Sequence, residues 1–267
     1  MADSSGLSNA MTEQGTTTKH GAWRLQVLDS VDSTNNWLSR QYDAGLVGPG
    51  HAVRAISQSA GKGRHGNQWQ SSADGLYLSM LVRDEEEFGT RWALVTGLAV
   101  REAIVRLAPT LADQLHLKWP NDVMLGEAKL SGILIERAGE GSPWDLVIGV
   151  GVNLNQPDGF SGAGSVSDKV SGLTADRLAI EVLAQIENLR GVLHRGGAMG
   201  LRQAWLQHAW HRGGQVSCHV DGQRLEGRFE DLDLDGAMIL ALPTGEERRI
   251  TGGEVHFPTN APSLETA

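Results

Sequence analysis

The sequence predicts an α+β fold, a mixed β-sheet with flanking helices, followed by a small C-terminal β-barrel. Three observations predict it. The strand-like segments "LHLKWPNDVML", "KLSGILIE" and "WDLVIGVGVNL" follow one another with links too short for crossover helices, which requires antiparallel or mixed pairing. "RWALVTGLAVREAIVRLA" and "TADRLAIEVLAQIENLRGVLH" carry apolar residues at helical period. From about Gly213 the texture changes to short strands separated by Asp-Gly and Thr-Gly turns, the pattern of a small barrel.

Taken in order, residues 1–20 lack apolar periodicity and are expected to be a disordered N-terminal tail. A short strand, "WRLQVL", leads into "DSVDSTNNWLSRQ", where Ser33 or Thr34 can cap a helix carrying Trp37 and Leu38. "HAVRAISQ" and "LYLSMLV" read as strands with a glycine-rich loop between them. The following helix places Trp92, Val95, Leu98, Ala99 and Ile104 on one face and stops at Pro109. After the closely spaced strands come two amphipathic helices, the first ending near Gly196 and Gly197 and the second being "LRQAWLQHAW". The expected domains are therefore 21–212 for the main unit, 213–258 for the end module, and 259–267 for a flexible tail. No internal repeat is visible.

Composition excludes several classes. With 267 residues, 40% of them hydrophobic, the chain can bury a sizeable core plus a small module. No apolar run is long enough to span a bilayer, and no secretory signal opens the chain. The single cysteine, Cys218, cannot form an internal disulfide and reads as a small half-buried strand residue rather than a nucleophile, which suits a reducing cytoplasm. A net charge of −9 argues against broad nucleic-acid or anionic-membrane binding. The end module is itself acidic, with four Lys/Arg against nine Asp/Glu between Gly213 and Phe257, which weakens a single-strand nucleic-acid reading of the barrel. Basic residues therefore matter where they cluster.

They cluster in "SQSAGKGRHGNQW", Ser57 to Trp69. Gly61, Gly63 and Gly66 spell G-x-G-x-x-G, but a dinucleotide turn needs a helix opening at the last glycine, and here turn and strand residues follow. A Walker loop fails too, because Gly61-Lys62 is followed by Gly63 instead of Ser or Thr. What remains is a flexible backbone bearing Lys62, Arg64 and His65, with Gln58 before it and Trp69 after it. Such a segment can fold over a phosphate-bearing ligand, its glycine amides approaching the oxygens and its cations neutralising them. An exposed basic turn is the structural alternative.

With "DSTN" (Asp32 to Asn35), "KWPNDV" (Lys118 to Val123), "KLSGILIE" (Lys129 to Glu136) and "GVGVNLN" (Gly149 to Asn155), this loop resembles the biotin protein ligase family, in the same order along the chain. A C-terminal "GGEV" near Gly252 falls where the family's end module has a similar segment. The resemblance covers about residues 24–257. It implies a catalytic domain similar to class II aminoacyl-tRNA synthetases, an SH3-like barrel, and ATP-dependent biotinylation through biotinyl-5'-AMP, with ATP, biotin and Mg2+ taking part. The acceptor it implies is a lysine of a biotin carboxyl carrier protein, a subunit of acetyl-CoA carboxylase. Neither a nucleic-acid nor a membrane partner is expected, and the enzyme is expected to be a monomer or homodimer.

By the same resemblance Lys129, Arg64, Asp122 and Asn121 are the catalytic candidates. Ser33, Thr34, Asn35, Gln58, Lys62, Gly63, Arg64, Lys129 and Gly132 are those for biotin, and Lys62, Arg64, Trp69, Asn121, Lys129 and Asn153 those for the adenylate; no metal ligand is assigned. The chemistry agrees, since activating a carboxylate against an α-phosphate needs cations at the reaction centre, and a ureido ring needs donors and acceptors. Asp122 either assists proton loss from the attacking lysine or organises magnesium. Pure N-capping by Ser33 and Thr34, a packed indole at Trp69 and an Asn-Asp turn after Pro120 are the bland alternatives. Many relatives carry Arg where this chain has Lys62 and Arg-Arg where it has Arg64-His65, which bears on how tightly an adenylate is held. Lipoate or octanoate ligases of the same fold, and a non-catalytic biotin-binding regulator, are the rival readings.

Overall fold

The computed structural model describes residues 15–69, 75–84, 88–89, 91–139, 144–156, 164–166, 170, 172–220 and 222–256. Its main unit is an eight-stranded sheet built from β1 (Thr16–His20), β2 (Trp23–Val31), β3 (His51–Gln58), β4 (Leu76–Asp84), β5 (Leu115–Lys118), β6 (Asp122–Leu125), β7 (Ala128–Ala138) and β8 (Trp144–Val152). The strand order is β1-β2-β3-β4-β8-β7-β6-β5. Every named neighbour pair is antiparallel except β2 with β3. That parallel pair needs a crossover, and helix α1 (Thr34–Asp43) supplies it.

Sequence dictates the layers. β4, "LYLSMLVRD", is buried at every position but Arg83, as a strand covered on both faces must be. Tyr77, Ser79 and Leu81 face one way; Leu76, Leu78, Met80 and Val82 face the other. The first face meets α1 over a cluster of Leu28, Trp37, Leu38, Val53, Leu81 and Val147. The second carries the larger core, with α2 (Arg91–Leu107) and α3 (Ala175–Leu206) packed on it. Trp23 donates its indole N–H to Leu183 O at 3.1 Å, stitching β2 to α3. α3 is interrupted at Gly197, whose φ of +64° with ψ of −171° is not helical, so the two expected helices are two limbs meeting at a glycine.

The expected tail is corrected in part. Residues 16–20 form β1, paired with β2 from Thr16↔Val27 to His20↔Trp23 around Gly21 at φ +59°. An edge strand with Thr16 to Lys19 exposed carries no hydrophobic periodicity, which is why it reads as tail. Residues 1–14, and 257–267 at the other end, lie outside the described residues.

The end module comprises β9 (Gln215–Val220), β10 (Gln223–Leu232), β11 (Met238–Ala241), β12 (Glu247–Ile250) and β13 (Glu254–His256) in the antiparallel order β12-β11-β10-β9-β13. Among the described residues β12 and β13 do not pair, so the expected barrel is an open five-stranded sheet. Cys218 is fully buried in β9, not half-buried, and burial pushes its thiol pKa up, away from nucleophilic use. Three contacts lock the module to the main unit. Trp119 Nε1 donates to Gly236 O at 2.9 Å, Trp205 meets Phe229 edge to face at 6.4 Å, and Arg202 donates to Leu232 O at 2.6 Å while pairing with Asp231.

Candidate active site

The glycine loop folds as a hairpin. Lys62 bridges Gln68, Gly63 N donates to Asn67 O at 2.7 Å, and Trp69 N donates to Gly61 O at 2.9 Å, with a short 3-10 turn over Arg64–Gly66. Gly66 takes φ +78° at the turn, and a Cβ on Gly61 would fall 2.7 Å from Trp69 O. The loop therefore needs its glycines for its own closure, and among the described residues no helix follows the last of them.

This hairpin overhangs the α1 face of the sheet and encloses a cleft of about 290 Å³. The lining combines Ser33, Thr34 and Asn35 from the start of α1, Gln58 from the end of β3, Lys62 to Arg64 and Trp69 from the hairpin, and Lys118 to Asp122 from the β5–β6 turn. Lys129 and Gly132 of β7, and Gly149 and Gly151 of β8, form its floor. Almost every sequence-derived candidate thus comes to one place. The exception is Asn153, which is buried past the end of β8 with its amide bonded to Leu130 O at 2.9 Å and does not line this cleft. The His65 side chain lies outside the described residues.

Strand register explains the floor. Gly132 stands opposite Gly151, and Leu134 opposite Gly149, which itself stands opposite Ser79. A Cβ on Gly151 would fall 2.5 Å from Trp69 Cε2, and one on Gly132 2.9 Å from Trp69 Cζ3, so the indole lies flat on these glycines. A Cβ on Gly149 would fall 2.4 Å from Asn35 Oδ1. The "GVGV" glycines therefore make room for the chain itself, because Trp69 and Asn35 fill the space above them. Trp69 Nε1 is buried against this floor without a hydrogen-bond partner among the described residues.

A β-bulge places the central lysine. β6 pairs Asp122↔Gly132 and Val123↔Ser131 but then Met124↔Lys129, so one extra residue of β7 sits in the ladder. In a regular strand Lys129 and Gly132, three apart, would face opposite ways; the bulge restores Lys129 to the cleft face, 3.2 Å from where a Gly132 Cβ would be. Its Nζ stands 2.8 Å from Asp122 Oδ1 and 5.7 Å from the Trp69 ring centre.

At the same end Arg64 donates to Asn121 Oδ1 at 2.9 Å, and Asn121 Nδ2 donates to Ile133 O at 2.8 Å, fixing the amide orientation. Burial pushes the Arg64 guanidinium below its ordinary pKa, with Asp122 pulling the other way. A desolvated cation of this kind is relieved by an incoming anion. Among the described residues Lys62, Arg64, Lys118 and Lys129 line the cleft against the single carboxylate of Asp122, a local cationic excess in a chain of net charge −9.

The other end is a polar network. Gln58 Oε1 accepts from Thr34 N at 2.8 Å and from Thr34 Oγ1 at 3.2 Å. Ser79 Oγ lies 2.7 Å from Thr34 Oγ1 and 2.5 Å from Asn35 Oδ1, and Asn35 Nδ2 donates to Glu136 Oε2 at 2.7 Å. Ser33 is the N-cap residue, yet its side chain makes no capping bond, so the capping reading of that hydroxyl is corrected; Gln58 accepts the first helical amide, that of Thr34. Sequence reading missed Ser79 and Glu136, as well as Gly253, Val255 and His256 of the end module, which close the cleft. Ser79 was detectable as a hydroxyl inside the apolar run "LYLSMLV". The end-module residues carried only the weak "GGEV" signal.

Comparison with known proteins fits this geometry. Residues 27–153 match the Biotin/lipoate A/B protein ligase family, and 214–257 match the Biotin protein ligase C terminal domain. The chain is 31% identical over 242 residues to a biotin–acetyl-CoA-carboxylase ligase of Paracoccus denitrificans, covering 86% of this chain and 99% of the relative. It is 31% identical to the ligase of the same name from Mycobacterium tuberculosis, covering 87% and 89%. In structure it superposes on a biotin protein ligase from Aquifex aeolicus, solved in complex with biotin and ATP, with a TM-score of 0.75 at 27% identity, covering 88% of this chain and 99% of that one. With both modules matched in order and the glycine hairpin, the β5–β6 turn and the bulged lysine meeting at one cleft, the chain belongs to the biotin protein ligase family.

Proposed function

We propose that the cleft joins biotin to AMP at the expense of ATP and then passes the biotinyl group to a lysine of a biotin carboxyl carrier protein. The observation that carries the reading is the juxtaposition of two unlike ends: cations Lys62, Arg64 and Lys129 beside Asn121 and Asp122, and the neutral donors and acceptors of Ser33, Thr34, Asn35 and Gln58. A ureido head group suits the second end, and phosphates the first.

In the first step a carboxylate oxygen of biotin bonds to the α-phosphorus of ATP while the bond from that phosphorus to pyrophosphate breaks. Lys129 stabilises both approaching anions, and Arg64 with Lys62 takes charge on the departing pyrophosphate. Gly63 allows the backbone to approach the ligand, Gly132 leaves room for the Trp69 indole and the Lys129 side chain, Trp69 walls the ligand, and Asn121 holds Arg64 in place. Asp122, the one cleft-lining carboxylate among the described residues, would hold a magnesium ion brought with ATP, and the ion would supply charge neutralisation at the phosphates. In the second step the acceptor amine attacks the acyl carbon, AMP leaves, and Asp122 takes the amine proton. Asn153 is assigned to the adenylate's far end, supported only by its place beside the floor of the site. The expected setting is a reducing cytoplasm, which suits the free thiol of Cys218. Among the described residues no helix is long and apolar enough to cross a membrane.

Incubating the protein with ATP, a carrier domain and either labelled biotin or labelled lipoate tests the reading. Label from biotin is expected on the carrier lysine; label from lipoate alone, or biotin binding without pyrophosphate release, would overturn it.

A further inference from the structure

We infer that Glu136 is a positioning residue that couples the head-group end of the cleft to the glycine hairpin. This inference rests on the biotin-ligase reading of the site. Glu136 is on β7, two residues beyond Leu134 and four beyond Gly132, so it projects from the same face as the cleft floor. One carboxylate serves two donors: Oε2 accepts Asn35 Nδ2 at 2.7 Å, and Oε1 stands 3.5 Å from Lys62 Nζ. It also lines the space behind the hairpin together with Lys62 and Gly63.

The Asn35 contact decides an orientation. An Asn carboxamide can turn over, exchanging its oxygen and nitrogen. Here Glu136 accepts only, so it holds Nδ2; Oδ1 is thereby presented to Ser79 Oγ, fully buried at 2.5 Å, and seated over Gly149. Asn35 is left with one N–H for a ligand, aimed by two partners. The Lys62 contact ties the hairpin to the sheet at a residue whose neighbours Gly61 and Gly63 offer little stiffness of their own. An ordinary exposed ion pair would contribute next to nothing to function. A shared carboxylate instead makes the order of the head-group pocket and of the loop depend on the same side chain.

Glu136→Gln keeps shape but presents an amide N–H to one of the two donors, so it cannot satisfy both. The full-length variant is expected to raise the KM for biotin about tenfold or more in ATP-dependent pyrophosphate release, with kcat changed less than about threefold, as loss of a charge-assisted hydrogen bond made outside the reacting atoms predicts. Preformed labelled adenylate is expected to dissociate several-fold faster on dilution. Glu136→Asp, which keeps the charge but withdraws it, is expected to fall between the two proteins. In the double variant Asn35→Ala/Glu136→Ala the effects on biotin KM are expected to be strongly sub-additive. Additive effects, or a Glu136→Gln protein with both KM and retention within about twofold of wild type, would overturn the inference while leaving the ligase reading intact. A wild-type protein that releases no pyrophosphate from ATP and biotin would overturn the ligase reading and this inference with it.

Discussion

Lys129 is the residue on which the proposed chemistry turns, being the cation fixed to a strand and held 2.8 Å from Asp122. Lys129→Ala removes a preorganised charge and is expected to cut adenylate formation by about 10²-fold or more, read as pyrophosphate release at saturating biotin and ATP. Near-wild-type turnover would remove Lys129 from the reaction centre. Gly151 is the complementary case, a residue that acts by having no side chain. Gly151→Ala drives a methyl into Trp69 at 2.5 Å, so the indole must leave the floor. The expected result is altered tryptophan fluorescence with a biotin KM raised about tenfold or more, the order expected when a misplaced wall disturbs positioning; an unchanged KM would mean that the indole does not wall the ligand.

Among elements, α1 shows how stability and site share a helix. Asp32, just before its N-cap, accepts from both terminal nitrogens of Arg40 at 2.9 Å each and from Asn36 at 2.9 Å, and the Arg40 pairing holds its carboxyl well below the usual carboxylate range. A depressed pKa stabilises the fold above the unfolded-state value of about 4, and that stability is lost as pH falls below it. Asp32→Asn is therefore expected to lower the melting temperature at pH 7 and to narrow the difference from wild type toward pH 2. The pair is half-exposed, so the effect stays within about 1 kcal/mol; a variant matching wild type across the range would show the pair to be idle. The β7 bulge is the second element of consequence, because pairing register alone decides whether Lys129 faces the cleft or the α2 side.

At the scale of the whole molecule, the end module completes the cleft while reaching back to its most chemical turn. Gly253, Val255 and His256 line the site, and Trp119, next to the Asn121–Asp122 pair, hangs from Gly236 O. Trp119→Phe loses this hydrogen bond and leaves a void where the second ring of the buried indole packed. It is expected to cost about 2–3 kcal/mol, a fall of roughly 4–12 °C in melting temperature, and to lower kcat more than it raises biotin KM. A thermal shift with unchanged kinetics would confine the contact to a structural role.

The sequence by itself determined the α+β class, the mixed sheet and the two limbs of α3, features written locally in apolar period, turn residues and short links. The candidate residues came from the resemblance of its motifs, in order along the chain, to the biotin protein ligase family. The sequence also excluded a dinucleotide loop, because the helix such a loop needs is absent from the residues after Gly66. What it could not carry were facts about pairing and proximity. β1 is hidden by its exposure on an edge, and the openness of the end sheet depends on whether β12 meets β13. Asn153 stands just past the end of β8 and outside the cleft lining, whereas Lys129 turns into the cleft because of a bulge. Ser79 and Glu136 join the site only when β4, β8 and β7 lie side by side beneath α1. Long-range strand register brings such residues together, and no local pattern in a chain encodes which strand becomes its neighbour.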